Sequence, residues 1–387
     1  MPEPIYLDHS ATTPVRAEVL EAMLPFFGPR FGNPSSTHRW GREARVALDE
    51  ARERLARALG ASADEVCFTS GGTEADNLAV IGAWRAVRQA RPAVVSTPIE
   101  HKAVLAAVQE VEAEGGIARL VDVGPDGVVD AASFDAAVRD DTALCSVMWV
   151  NNEVGTIQDI AAMASAAKAC GALFHTDGVQ ALGKVVIDTR AIPVDYLSIS
   201  GHKVGAPKGI GALFVRRGAP ITPLLYGGAQ DRGRRPGTEN VAMSIGFARA
   251  VELAVAEREA ETERLRKLRD ELETALLTKI PDAIIHGRGG PRVAHIMNIS
   301  VPGTDSESML MALDLQGVAC SAGSACQSGS IDPSHVLAAL HVPHEHAVAS
   351  IRFSLGSLTT DAHVARVAEL FPALIAKARR LSGLVTG

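Results

Sequence analysis

Apolar residues recur at spacings of three and four between positions 43 and 59, where Ala44, Leu48, Ala51, Leu55 and Ala58 fall on one stripe. That spacing predicts an amphipathic helix. Downstream the pattern changes to short, uninterrupted apolar runs at 65–69 (EVCFT), 93–97 (AVVST), 143–150 (ALCSVMWV), 172–176 (ALFHT), 195–200 (DYLSIS) and 211–215 (GALFV). Runs of this length bounded by turn residues predict strands covered on both faces. Helical patterns at 101–114 and 159–170 lie between some of them, and such alternation predicts a mostly parallel sheet flanked by helices. A long charged helix over 239–277 follows, with Leu265, Leu268, Leu272 and Leu276 as its buried stripe. Beyond Pro281, strand patterns at 295–301 and 350–355, a short helix from Ser306 and a C-terminal amphipathic helix predict a smaller α+β domain. The expected division is a large domain of residues 16–257 and a small domain of residues 1–15 and 258–387, with a continuous helix crossing the border.

Length and composition narrow the function classes. A chain of 387 residues, 47% of them hydrophobic, can build two cores. A formal charge of −7 supplies no positive field for a phosphate backbone, which argues against direct nucleic-acid binding. The first residues show no basic segment leading into an apolar run, and no apolar stretch reaches membrane-spanning length; neither signal peptide nor membrane anchor is expected. Five scattered cysteines do not read as a disulfide framework, so a reducing cytoplasmic location is the expectation.

Four pieces of the predicted large domain carry candidate chemistry. Ser70-Gly71-Gly72-Thr73-Glu74 follows a strand and opens a helix; glycines there admit an anion close to the backbone, and free N–H groups favour phosphate. A plain strand-to-helix turn reads equally well in isolation. His175 and Asp177 share one face at the end of a strand. At that sheet edge a carboxylate can pair with a protonated pyridine nitrogen, or simply cap the next turn. Lys203 follows a strand end beside Ser200 and His202; a desolvated lysine forms Schiff bases, although most such lysines are solvated charges. His101, after another strand, can stack on a flat ring and move protons, where a lone histidine more often serves as a hydrogen-bonding prop. Gly-rich turn, Asp and Lys in this order on one sheet describe a pyridoxal-phosphate site.

A second constellation lies downstream. The run from Ala319 to Ser330 is built of small residues and forms little core, so the thiol of Cys326 is expected to be available for attack. Cys67, Cys145 and Cys170 sit in apolar runs and are expected to be buried and inert, and Cys320, next to a strand, to be structural. Five residues separate Cys320 from Cys326 with no second cysteine pair, so no metal site is expected; the irregular spacing of His341, His344 and His346 reads as a polar loop. Arg352 lies within an apolar strand and needs a partner, either a substrate carboxylate or a structural ion pair.

Taken together these residues resemble the NifS/IscS-type cysteine desulfurases of the class V aminotransferase family, with the aminotransferase-like fold (fold type I) of pyridoxal-phosphate enzymes. The matching motifs run nearly end to end: Tyr6-Leu7-Asp8 with Ala11-Thr12-Thr13-Pro14, Phe31-Gly32-Asn33-Pro34, residues 69–77, Glu100-His101, Asn151-Asn152-Glu153, residues 175–180 and 200–203, Arg235-Pro236-Gly237-Thr238, Ser324-Ala325-Cys326 and residues 352–356. The resemblance implies Lys203 as the cofactor-bearing lysine, Asp177 on the pyridine nitrogen and Gln180 near the phenolic oxygen. It implies Gly72, Thr73, Ser200 and His202 at the phosphate, with Thr238 reaching the phosphate of the other subunit, hence a homodimer. Asn152 is implied at cofactor or substrate, His101 as stacking and proton-shuttling group, and Arg352, helped by Asn33, at the substrate carboxylate. Cys326 would take sulfur from L-cysteine and pass it to an acceptor protein, a scaffold for iron–sulfur clusters or a thiolation enzyme. Departures occur at His9-Ser10 and Gln230-Asp231, and the extra tail that some members use with a scaffold protein is not expected, which leaves the acceptor open. Two rivals stay open as well: another enzyme of the same fold (a cysteine or selenocysteine lyase, or an aminotransferase) and a non-catalytic sulfur-transfer partner.

Overall fold

The computed structural model describes residues 4–322 and 333–381. In chain order its strands are β1 (Ile5–Tyr6), β2 (Val66–Thr69), β3 (Ala93–Ser96), β4 (Ile117–Leu120), β5 (Thr142–Ser146), β6 (Leu173–Asp177), β7 (Tyr196–Ser200), β8 (Gly211–Val215), β9 (Ile284–His286), β10 (Ile296–Ser300), β11 (Val318–Ala319) and β12 (Ser350–Ser354). The main sheet has the order β2-β8-β7-β6-β5-β3-β4. Its β7-β6-β5-β3-β4 block is parallel, and β8 runs antiparallel to both of its neighbours. Only residues 201–210 join β7 to β8, too few for the helical crossover that a parallel return needs. Because β8 opposes both neighbours, β2 points the same way as β7, and the C-terminal ends of β2, β3, β5, β6 and β7 share one edge.

Alternation along these strands feeds two hydrophobic layers. Phe68, Val95, Cys145, Leu197 and Phe214 face a cluster that includes Leu55, Leu59 and Phe247. Their neighbours Cys67, Val94, Leu144, Tyr196 and Leu213 face Leu78, Trp84, Val104 and Val108 on the opposite side. All six apolar runs read from the sequence are strands of this sheet. The edge strand β4 carried no such signature because its residues are exposed or half-buried. The helix predicted from residue 43 starts earlier, at Arg39, where the His38 ring accepts a hydrogen bond from the Gly41 amide.

A further cluster joins Leu7, Met297, Ile299, Ile351, Phe353 and Phe371 around the β12-β10-β9 sheet and the parallel β1-β11 pair. The helix Val241–Lys279 is unbroken over 39 residues. Phe247 and Val251 from its first half belong to the main-sheet core, while Leu265, Leu268, Leu272 and Leu276 pack into the second cluster, each at most 2% exposed. Full burial of a leucine contributes about 2 kcal/mol, so this stripe ties the helix firmly to the second core. Among the described residues, no helix is long and apolar enough to cross a membrane.

Candidate active site

A cavity of about 430 Å³ opens at the carboxyl edge of the main sheet, where ligands gather in folds of this kind. Gly72, Thr73, His101, Asn152, Asp177, Gln180, Ser200, His202, Lys203 and Arg352 all line it. Of the other sequence candidates, Asn33 is exposed elsewhere, its side-chain oxygen accepting from the Ser35 amide, and Thr238 lies on the exposed stretch before Val241. Cys326 lies outside the described residues.

One end of the cavity is built for an anion. The helix Gly72–Val87 begins directly after β2, and the first N–H groups of a helix have no partner within it. Close contact holds this end in place: a Cβ at Gly72 would lie 2.8 Å from Val179 Cγ2, and one at Gly211 would lie 2.7 Å from the Gly71 backbone. Ser200 Oγ is buried with no hydrogen-bond partner, and Thr73 and His202 stand on the same wall. An unpartnered buried hydroxyl beside a helix N-terminus is a donor waiting for an acceptor.

Lys203 lies in the short helical turn Gly201–Lys203 after β7. Its Nζ donates to the carbonyls of Ser10 (2.5 Å) and Ala11 (2.8 Å). Burial, followed by the nearby Arg352 cation, pulls the amine down to about 8, while Asp177 and Asp8 oppose the shift. A lysine so placed is neutral often enough to act as nucleophile or base. Thr13 locks the turn from the other side, since its amide and hydroxyl donate to the His202 carbonyl and the Gly205 amide donates to its hydroxyl. Gln180 Nε2 also donates to Ser10 O, so residues 10–13 form a lid strapped to both loops.

Asp177 ends β6, and its Oδ1 accepts from the Val179 amide at 2.8 Å. Burial pushes its carboxyl upward, while His101, the Val179 amide and Lys203 pull it back. His101 does cap a helix, as its Nδ1 accepts from the Ala103 amide. That bond fixes the neutral ring with its proton on Nε2, the nitrogen free to meet a ligand. Asn151 holds the turn that presents Asn152, its side chain donating to Ile99 O and accepting from the amides of Glu153 and Val154. His175 lies fully buried beneath the cavity, sharing hydrogen bonds with the hydroxyls of Ser146 and Ser198.

Arg352 has a structural ion pair, one of the two kinds of partner its strand position left open: Nη2 meets Asp8 Oδ1 at 2.9 Å and Nη1 donates to Asn152 O. Its Nε is buried and unpartnered. Sequence reasoning gave no role to Asp76, Ser10, Ala11 or His335, which also line the cavity. Asp76 was the legible one of these, a charged residue four positions after Gly72 on a helix face that continues with the buried Val80. Cys320 was expected to be merely structural, yet it too lines the wall, with a thiol that burial holds above its ordinary range. Cys67 and Cys145 are fully buried as expected; Cys170 is only partly so.

Comparison with known proteins gives this geometry a family. The aminotransferase class-V family matches residues 5–367. A cysteine desulfurase IscS of Dictyoglomus turgidum is 44% identical over 382 residues, covering 99% of this chain and 97% of its own. A cysteine desulfurase IscS of Methanosarcina thermophila is 46% identical over 380 residues, covering 98% and 94%. A solved structure of a NifS-like protein superposes with a TM-score of 0.89 at 34% identity, over 99% of this chain and 100% of the other. With its aminotransferase-like fold and a match running almost end to end, the chain belongs to the class-V aminotransferase family, in the group of the NifS/IscS-type cysteine desulfurases.

Proposed function

We propose that this protein is a cysteine desulfurase that works with pyridoxal 5′-phosphate, releasing L-alanine from L-cysteine and taking the sulfur onto Cys326. The observation that carries the reading is the meeting of Lys203 and Asp177 in one cavity with an anion cradle at its end. Members of the family are in general pyridoxal-phosphate enzymes, and relatives at 44% and 46% identity bear the desulfurase name. The residues fit the coenzyme: the unpartnered Ser200 hydroxyl, Thr73, His202 and the helix N-terminus at Gly72 for its phosphate, His101 and Asn152 for its ring, Gln180 for its phenolic oxygen, Asp177 for its nitrogen and Lys203 for its aldehyde carbon.

When bound, the coenzyme supplies an electron sink for charge developing at the substrate α-carbon. Lys203 removes the α-proton at Nζ, a task suited to an amine that titrates near 8. Asp177 keeps a negative charge beside the ring nitrogen. Arg352 holds the substrate carboxylate, and His101 moves protons through Nε2. The Cys326 thiolate attacks the substrate sulfur; an S–S bond forms, the Cβ–S bond breaks, its electron pair takes up a proton at Cβ, and a proton is returned to Cα to give alanine. The persulfide then passes sulfur to an acceptor protein. A second copy of the chain would bring Thr238 to the phosphate, making the working unit a homodimer.

The test is C326S. It is expected to keep the visible absorbance of bound coenzyme while losing alanine formation and the added sulfur seen by mass spectrometry after cysteine treatment. Full turnover by the variant, or release of pyruvate and ammonia in place of alanine by the wild type, overturns the reading.

A further inference from the structure

Asp76 has no part in the chemistry above, yet it stands in the cavity wall at 1% exposure. Its Oδ1 has no hydrogen-bond partner. His175 Nε2 stands 3.6 Å from that oxygen, but burial keeps the ring neutral by lowering its pKa to about 3, so it supplies no counter-charge. Asp177 lies close enough for the two carboxyls to repel. The pair is unequally provided. Asp177 receives the Val179 amide and sits in the fields of His101 and Lys203, whereas Asp76 has the Ser198 hydroxyl and faces the further carboxyl of Glu100. Glu100 is itself fully buried, accepts from the Met148 amide and the Thr97 hydroxyl, and titrates near 8. A buried carboxylate lacking donors is far costlier than a neutral carboxyl in the same place, and two adjacent carboxyls do not both ionise in such a site.

We propose that Asp76 is a positioning residue that keeps a proton at the floor of the cavity, so that the carboxyl pair holds one negative charge and that charge resides on Asp177. Unequal surroundings divide the roles, as they do wherever neighbouring carboxyls act differently. The consequence rests on the proposed function: Asp177 stays ionised toward the ring nitrogen because its neighbour does not compete for the charge. The proton itself requires no coenzyme.

The decisive measurement is infrared spectroscopy of coenzyme-free protein at neutral pH, with aspartate labelled by heavy carbon at the side-chain carboxyl to separate it from Glu100 and Glu153. Subtracting D76N from the wild type is expected to show loss of a protonated-carboxyl band; loss of an ionised-carboxylate band overturns the proposal. Stability gives a second reading. A carboxyl whose proton is kept by the fold favours folding below its unfolded pKa of about 4, and that advantage drains away as pH rises. D76N is therefore expected to gain on the wild type by up to about tenfold in folding equilibrium per pH unit above that point. Parallel pH curves for the two proteins overturn the proposal. Should D76N fail to fold, the labelled wild type decides alone, since absence of any protonated aspartate at neutral pH is fatal to the idea. Wild-type protein that shows the proton but takes up no pyridoxal phosphate would sink the proposed function and leave Asp76 untouched.

Discussion

The cavity has two walls of different origin. The first is the carboxyl edge of the main sheet, where His101, Asp177, Ser200 and Lys203 each stand within a few residues of a strand end. The second is assembled from distant segments: Ser10 and Ala11 near the start of the chain, Cys320 after β11 and Arg352 in β12. Strand ends can change residues without disturbing the sheet, so the first wall is free to carry chemistry. The second wall is held by the contacts it makes, Arg352 to Asp8 across 344 positions and Lys203 to Ser10 across 193. Groups there select and enclose, and their loss costs folding as well as function.

Substitutions can break this contrast. On the sheet wall, K203A is expected to lower alanine formation by at least about 10³-fold and to remove the covalently held coenzyme absorbance, with a smaller shift of the denaturation midpoint than R352A gives. On the opposite wall, R352A is expected to do both kinds of damage. It leaves the Asp8 carboxylate unpaired, which costs about 3 kcal/mol in urea unfolding, and it raises KM for cysteine by tenfold or more. A variant that changes KM with no loss of stability would erase the distinction between the walls.

A finer probe uses pH. Lys203 titrates near 8 in the fold and near 10.4 in the unfolded chain, so the unfolded state binds the extra proton between those values. Stability of coenzyme-free protein is thus expected to rise with pH across that window, the contribution of this group being level below about 8, where both states hold the proton. K203M removes the rising component, as chemical denaturation at several pH values would show. The smallest effect belongs to C320A. Burial and the Asp8 carboxylate hold its thiol protonated, so turnover and persulfide formation are expected to stay within about twofold of wild type.

The same contrast explains what could be read from the sequence. The sheet wall was legible because short buried strands announce themselves, and a Gly-rich turn, an Asp and a Lys at successive strand ends have few joint explanations. His101, Asp177 and Lys203 were found that way. Nothing periodic joins Ser10 to Lys203 or Asp8 to Arg352; pairings over such separations are decided by tertiary packing. A partner for Arg352 could be demanded from its place in an apolar strand, but whether that was a substrate carboxylate or a residue of the chain could not be decided. Asp76 was missed for a different reason: a lone acidic residue in a helix ordinarily points to solvent, and only the neighbouring buried positions hinted otherwise. Strand β4, half-exposed at the sheet edge, lacked the apolar run that marked the others.

The helix Val241–Lys279 has a consequence for how the molecule comes apart. At a rise of about 1.5 Å per residue it is a rod of about 58 Å, with one half embedded in each core. Neither core can melt without stripping the rod of half its packing, and a helix with one face bare gains little from its own hydrogen bonds in water. Heating or urea should therefore dissolve both cores in a single cooperative step, and a proline placed where the rod passes from one to the other should split that step in two.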